Sequence, residues 1–314
     1  MDLRQLSTLV AIADHGSFSA AARALYTVQS NVSGHIARLE RELGVTLVDR
    51  QRGGLTEEGA LVVERARRIL HELDDIAAEM ASRGDEVRGE ARIGFIGTTA
   101  RWILPQLLGC MQHNHPAVRI TILEGNTTNL IPRLVSQHLD GAVTHLPVDD
   151  PELEVEPLFA EDLVLLVPAP HELAGRSEVP LAEITAHVLL LPPRGSALRR
   201  VLDRAAANAG TELQAKVEID GVRLMASLAF EGYGAAIVPA TAIPRWLDGD
   251  FQRITVPELP RRVVGWAQRR RPSPSAATRA VLAAMRQVVA EEGADQPGLF
   301  VGGDVVPLSR AASG

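Results

Sequence analysis

The sequence predicts a multidomain chain: an N-terminal all-α winged helix-turn-helix, a long linking helix, and a C-terminal α/β domain of two subdomains. Three observations carry that prediction. Residues 17 to 40 read as two short amphipathic helices joined by a tight turn. Val62, Ala66, Ile69, Leu73, Ile76 and Met80 then recur at alternating spacings of four and three, a heptad seam. From Ala91 onward, strand-like runs alternate with helical patterns.

The N-terminal elements follow from local chemistry. Ser17 suits an N-cap, and Ala20 to Ala24 are small residues dominated by strong helix formers. In the next helix Val28, Val32, Ile36, Leu39 and Leu43 form one apolar stripe. The opposite face carries Gln29, Ser30, Asn31, Ser33, Gly34, His35 and Arg38. Gln and Asn can bond adenine bidentately, Arg can pair with guanine, and Ser can bond base or phosphate. The alternative is an ordinary polar face in a helical bundle. Two adjacent helices with this turn and this face point instead to double-stranded DNA, held in the major groove. Arg50 and Arg52, beside the turn Gly53-Gly54, read as phosphate contacts from a wing, or else as solvated loop charges.

Charge alone does not make that case. Up to residue 56, Arg4, Arg23, Arg38, Arg41, Arg50 and Arg52 face Asp2, Asp14, Glu40, Glu42 and Asp49, so the head is nearly neutral. The whole chain has a formal charge of −7. Nonspecific DNA affinity is therefore expected to be modest, and a dimer would double the few basic contacts. The heptad helix, expected from Thr56 to Ser82, supplies a surface for pairing, since a helix this long with polar flanks has no other evident face to bury against. Residues 82–89 break its pattern and read as a hinge.

The α/β region has strand-like runs at residues 91–97, 119–124, 141–144, 162–167, 188–191, 216–220, 235–238 and 263–267. Helical patterns intervene at 104–113, 128–137, 197–209, 222–231 and 276–291, which predicts mainly parallel sheets. About 200 residues allow two such sheets. The tail, 293–314, is rich in Gly, Ala, Pro and Ser and is expected to be disordered.

Residues 1 to 59 resemble the DNA-binding domain of LysR-type transcriptional regulators. The resemblance rests on Leu3-Arg4-Gln5-Leu6, Gly16-Ser17-Phe18-Ser19-Ala20-Ala21-Ala22, Gln29-Ser30-Asn31-Val32-Ser33, Leu39-Glu40-Arg41-Glu42-Leu43-Gly44 and Leu55-Thr56-Glu57-Glu58-Gly59, in order. Two positions depart from it: Gly34 stands where Arg is common in the family, and Val48-Asp49-Arg50 replaces Leu-Phe-x-Arg. Residues 90 to 292 resemble the family's effector-binding domain, itself similar to periplasmic solute-binding proteins. That match is carried by Ile93-Gly94-Phe95-Ile96-Gly97, Leu139-Asp140-Gly141-Ala142 and Gly232-Tyr233-Gly234-Ala235-Ala236-Ile237-Val238-Pro239, among others.

The resemblance implies a DNA-binding domain at 1–58, a linker and hinge at 59–88, and an effector domain at 89–292. Its first subdomain would comprise 89–161 and 265–292, its second 162–264, with a cleft between them. A small-molecule effector is implied in that cleft. The family position marks Thr98 and Thr127 for it. Position and chemistry add Thr99, Arg194 and Ser196, because hydroxyls, helix N-terminal amides and a guanidinium can hold an anion. N-capping alone would also explain the Ser and Thr residues. Arg101 and Arg223 read as surface arginines and are left out of the site.

The expected function is a ligand-responsive regulator reading an interrupted palindrome as a dimer or tetramer, with RNA polymerase as a further candidate partner. No cofactor and no metal are expected. Cys110-x-x-His113-x-His115 matches no strong ligand spacing. Enzyme motifs are missing: Gly94-x-x-Gly97 lacks the third glycine of a dinucleotide fingerprint, and there is no Walker loop or Gly-x-Ser-x-Gly elbow. A solute sensor without a DNA role would show a damaged reading face, and a chromosome-structuring protein a far more basic surface. One cysteine and no signal-like or membrane-length apolar run suggest a cytoplasmic chain.

Overall fold

A computed structural model of the protein describes residues 1–49, 54–81 and 86–302. The chain divides into two compact units, residues 1–84 and 85–314.

In the first unit, α1 (Leu3–His15) begins at a reciprocal cap. Asp2 accepts from the Gln5 amide at 2.9 Å, and the Gln5 side chain accepts from the Asp2 amide at 2.8 Å. Gly16, at φ +74°, closes the helix in the left-handed region. Ser17 caps α2 (Phe18–Ala24) through the Ala20 amide at 3.2 Å, and α3 (Gln29–Leu43) follows the turn. Their apolar faces meet in a core that includes Leu9, Ile12, Ala21, Val32, Ile36 and Leu39. A two-stranded wing, β1 (Val48–Asp49) against β2 (Gly54–Leu55), flanks that core; Arg50 and Arg52 lie outside the described residues.

The long helix α4 runs Glu57–Ala81. Its start is pressed against the wing: a Cβ on Gly59 would stand 2.0 Å from the Leu47 carbonyl oxygen, so only glycine fits. Val63 and Ala66 are buried, and Val63 joins the head's own core. Farther along, Ile69, Leu73, Ile76 and Met80 are exposed, Ile76 at 57%. Ala66 of the expected seam is thus already occupied within one chain, and the later positions form an uncovered apolar stripe.

The second unit holds two sheets. The strands of the first are β3 (Gly89–Ile96), β4 (Val118–Gly125), β5 (Gly141–His145), β6 (Leu153–Glu161), β12 (Arg262–Arg269) and β13 (Leu299–Phe300). Their order across the sheet is β13-β6-β12-β5-β3-β4. Helices α5 (Gly97–Asn114), α6 (Thr127–Val135) and α10 (Ala276–Glu292) cover it. The second sheet comprises β7 (Leu163–Pro168), β8 (Val188–Leu191), β9 (Gln214–Glu218), β10 (Ala236–Pro239) and β11 (Phe251–Thr255). Their order is β11-β7-β10-β8-β9. They pack with α7 (Leu181–Ile184), α8 (Ala197–Asn208) and α9 (Val222–Phe230).

Both sheets are mixed, where the alternating pattern predicted mainly parallel ones. β12 runs antiparallel to β5 and β6, and β7 antiparallel to β10 and β11. The reason is topological. The chain crosses from one sheet to the other at Asp162 and returns before Arg262, so long strands that enter and leave each sheet run against their neighbours. The return strand begins at Arg262, ahead of the expected boundary at 265. The segment expected to be disordered from 293 is folded in its described part: β13 pairs with β6, and Leu299 is buried, while residues 303–314 lie outside the described residues.

Both crossovers are tied by one buried ion pair. Glu161 is fully buried and Arg262 is 8% exposed, and the two are direct partners across β6 and β12. Arg262 donates to Glu161 Oε1 from Nε at 2.8 Å and Nη2 at 2.6 Å. Removing one partner of such a pair strands a buried charge. Glu161→Ala is expected to destabilise the second unit by about 3–5 kcal/mol in urea unfolding of the full chain. A loss below about 1 kcal/mol would show that the pair does not hold the crossover.

Candidate nucleic-acid interface and ligand cleft

The reading face of α3 is set by the turn that precedes it. Gln29, Ser30, Asn31 and Arg38 lie on the outer side of the helix, Ser33 half-buried beside them. Asn31 donates to Thr27 Oγ1 at 2.9 Å, and Arg38 Nε donates to the Gly34 carbonyl at 3.2 Å. Space around Gly34 is open, with no atom within 4 Å of a built Cβ. Gln29 and Ser33 share a groove with Ser17, Ser19 and Asp49. His35 is placed differently from the rest: its Nδ1 lies 3.1 Å from Thr8 Oγ1 and fastens α3 to α1. Sequence reasoning did not single out Tyr26, which is 98% exposed at φ +52° in the turn before α3. A left-handed aromatic residue carries no propensity signal that could have announced it.

The second unit has a cleft between its two sheets, with a cavity of about 420 Å³. One wall is the start of α5 and the β4–α6 turn, and the other is the start of α8 and of α9. Thr98 lines it and accepts from Arg262 Nη2 at 3.0 Å. Thr127 lines it and accepts from the His145 amide at 3.2 Å. Ser196 also lines it while capping α8 through the Arg199 amide at 3.3 Å. Thr98, Thr127 and Ser196 are therefore brought together. Thr99 is fully buried in α5 and does not line the cavity. Arg194 also lies off the cavity, paired with Glu212 at 3.4 Å and Glu218 at 4.0 Å.

Arg223, read from sequence as a surface residue, does line the cleft. Its Nη2 donates to both carboxylate oxygens of Glu124, at 2.6 and 2.7 Å. These residues are 99 apart in sequence, and no local signal links them. Among the described residues, no group of three His, Cys, Asp or Glu side chains could hold a metal ion, and no helix is long and apolar enough to cross a membrane.

His145 reaches the cavity from the end of β5. Burial, then the neighbouring charge of Arg262, pushes its pKa down from 6.5 to about 3. It stays neutral near pH 7, while the unfolded chain would protonate it below about 6.5. Between those values the unfolded state binds more protons, so stability falls as pH falls. The slope contributed by one such group approaches about 1.4 kcal/mol per pH unit. Urea unfolding at about pH 7, 6 and 5 should show this loss, and His145→Gln should flatten it. Equal slopes in both proteins would remove His145 as its source.

Two family models match the chain: the bacterial regulatory helix-turn-helix of the lysR family over residues 3–60, and the LysR substrate binding domain over residues 84–290. The DNA-binding transcriptional dual regulator OxyR of Escherichia coli K12 is 32% identical over 275 residues, covering 86% of this chain and 90% of that one. A probable hydrogen peroxide-inducible genes activator of Mycobacterium leprae is 31% identical over 242 residues, 76% and 78% of the two chains. Among solved structures, full-length CbnR complexed with its target DNA aligns with a TM-score of 0.70 at 26% identity, covering 92% of this chain and 100% of that one. A full-length OxyR variant of Pseudomonas aeruginosa, at 23% identity and a TM-score of 0.68, shares the fold over 92% and 97% of the two chains. With a helix-turn-helix in its first unit and a two-subdomain cleft in its second, the chain belongs to the LysR family of DNA-binding transcriptional regulators and is not an enzyme.

Proposed function

We propose that this regulator reads an interrupted palindrome as an oligomer and that a small molecule in the cleft sets its activity. The observation that carries the proposal is the exposed row Gln29, Ser30 and Asn31 on a nearly neutral head, joined to a helix whose apolar stripe is uncovered. One head has few cations with which to hold DNA, whereas two heads paired along Ile69, Leu73, Ile76 and Met80 read two half-sites at once. Ser33 and Arg38 complete the reading set, His35 orients it, and Arg50 and Arg52 serve phosphate contacts. Val62 and Ala66 lead the helix into the paired stretch. DNA as partner puts the working protein in the cytoplasm, with RNA polymerase as the machinery it would recruit or block.

In the cleft, Thr98, Thr127 and Ser196 are proposed to contact the effector, whose binding alters how the subdomains close and so how paired heads are spaced. The curated relatives' names concern hydrogen peroxide. A disulfide switch within one chain needs two thiols, and this sequence has Cys110 alone. Cys110 accepts from Asn114 at 3.3 Å, and it does not line the cleft. Ligand occupancy is therefore the proposed signal.

Footprinting the purified protein upstream of its own gene, with metabolites added, tests the reading directly. A protected site with two related half-sites is expected. Gln29→Ala should cut the ratio of specific to nonspecific affinity about tenfold or more at fixed salt, the order expected for one bidentate base contact. Unchanged discrimination would remove Gln29 from the reading set. Ile76→Asp should lower the sedimentation mass at micromolar protein and weaken operator binding in parallel. An unaltered oligomer would show that the stripe on α4 is not the pairing surface.

A further inference from the structure

The Glu124–Arg223 pair joins the two walls of the cleft. Glu124 sits near the end of β4 in the first subdomain, and Arg223 in the first turn of α9 in the second. Arg223 Nη2 donates to both Glu124 oxygens at 2.6 and 2.7 Å, and both side chains are close to half exposed. Gly97 lies directly beneath it: a Cβ there would meet Glu124 Oε1 at 2.6 Å and Arg223 Nε at 3.2 Å. The start of α5 thus leaves room for the two side chains to lie across the cleft mouth.

The other charged groups facing this space are differently committed. Glu161 is held by Arg262 and by the Thr241 hydroxyl at 2.6 Å. Arg262 lines the cavity floor with Nη1 unbonded to any described residue. Arg101, one turn along α5, donates to the Ala242 carbonyl at 3.2 Å, and burial and the nearby Arg223 charge lower its pKa. Asp220 lines the second wall. Glu124 is the anion in contact with Arg223, and it is a replaceable one, because a half-exposed pair between two movable walls contributes little net stability.

We infer that the effector carries a carboxylate-type anion, which takes the place of Glu124 on Arg223 and reaches toward Arg262 Nη1 on the floor. The inference rests on the cleft being the effector site. Ligand entry exchanges one carboxylate for another, so Arg223 remains paired while Glu124 is released to solvent. Arg223 Nη2 spans both oxygens of Glu124 and can span those of a ligand carboxylate in the same charge-assisted way. The neutral His145 and the hydroxyls of Thr98 and Thr127 add no competing charge.

The test uses the full chain with acetate, benzoate and succinate, each compared with its neutral amide at matched ionic strength, read by calorimetric titration and thermal unfolding. At least one acid should bind and raise the melting temperature of the wild type, and no amide should. Glu124→Gln should tighten that acid's Kd at least about tenfold by freeing Arg223. Arg223→Gln should abolish binding, and Arg223→Lys, which keeps the charge on a shorter side chain, should restore part of it, so a folding defect in one variant does not decide the matter. Amides binding as well as acids, no binding of any acid to Glu124→Gln, or equal affinity in Glu124→Gln and wild type would each overturn the inference. Footprints made in parallel separate the two levels. Acid binding that leaves the footprint unchanged in every variant contradicts the effector role of the cleft, whereas a metabolite that changes the footprint of Arg223→Gln and wild type alike contradicts only the anion assignment.

Discussion

The buried pair between Glu161 and Arg262 is the constraint around which the second unit is organised. Both residues lie where strands of the first sheet give way to the crossovers, and each is needed to neutralise the other in a largely desolvated place. The pair also reaches outward. Glu161 accepts from Thr241 of the second subdomain, and Arg262 donates to Thr98 at the head of α5. One cluster therefore sits at the floor of the cleft and links the two subdomains, and its Arg262 adds to the burial that keeps His145 uncharged. The C-terminal segment closes the same corner: the Asp162 amide donates to the Gly298 carbonyl at 2.8 Å, and the Arg261 guanidinium lies 3.5 Å from the centre of the Phe300 ring.

The contrast between floor and mouth has a physical origin. On the floor, desolvation makes the ion pair obligatory, since either charge alone would be far more costly than both together. At the mouth, water screens Glu124 and Arg223, so their contact can open without comparable loss. A cleft built this way has a rigid base and an exchangeable rim.

Much of this was legible from the sequence, and the failures share a cause. The cap at Ser17 and the middle of the α3 stripe, Val32, Ile36 and Leu39, are local signals that the structure matches, whereas Val28 and Leu43 at its ends are exposed. The buried strands β3, β7, β8 and β10 announce themselves as apolar runs. β6 does not, because Glu154, Glu156 and Pro157 interrupt its first half where it faces solvent. β11 is a short strand at the edge of its sheet and is mostly polar. Arg194 and Arg223 exchanged expected roles for the same reason. Local position favoured Arg194 beside a helix start, yet Glu212 and Glu218 engage it, while Arg223 finds Glu124 only through tertiary folding. Sequence patterns report on burial and turns within a few residues, and ion pairs between subdomains lie beyond that range.

The head and its long helix share one core, since Val63 packs among Leu9, Ile36 and Val48. Gly59 presses the same helix against the Leu47 carbonyl with no room for a side chain. The twenty-five residues of α4 form a rod about 37 Å long, rigidly socketed at the reading end. Such a rod acts as a crank: it cannot roll about its axis without carrying the recognition helix with it. A tilt of about 5° applied to its far end would swing that end by roughly 3 Å relative to the head, a small displacement on the scale of the ~34 Å that separates successive faces of a DNA groove.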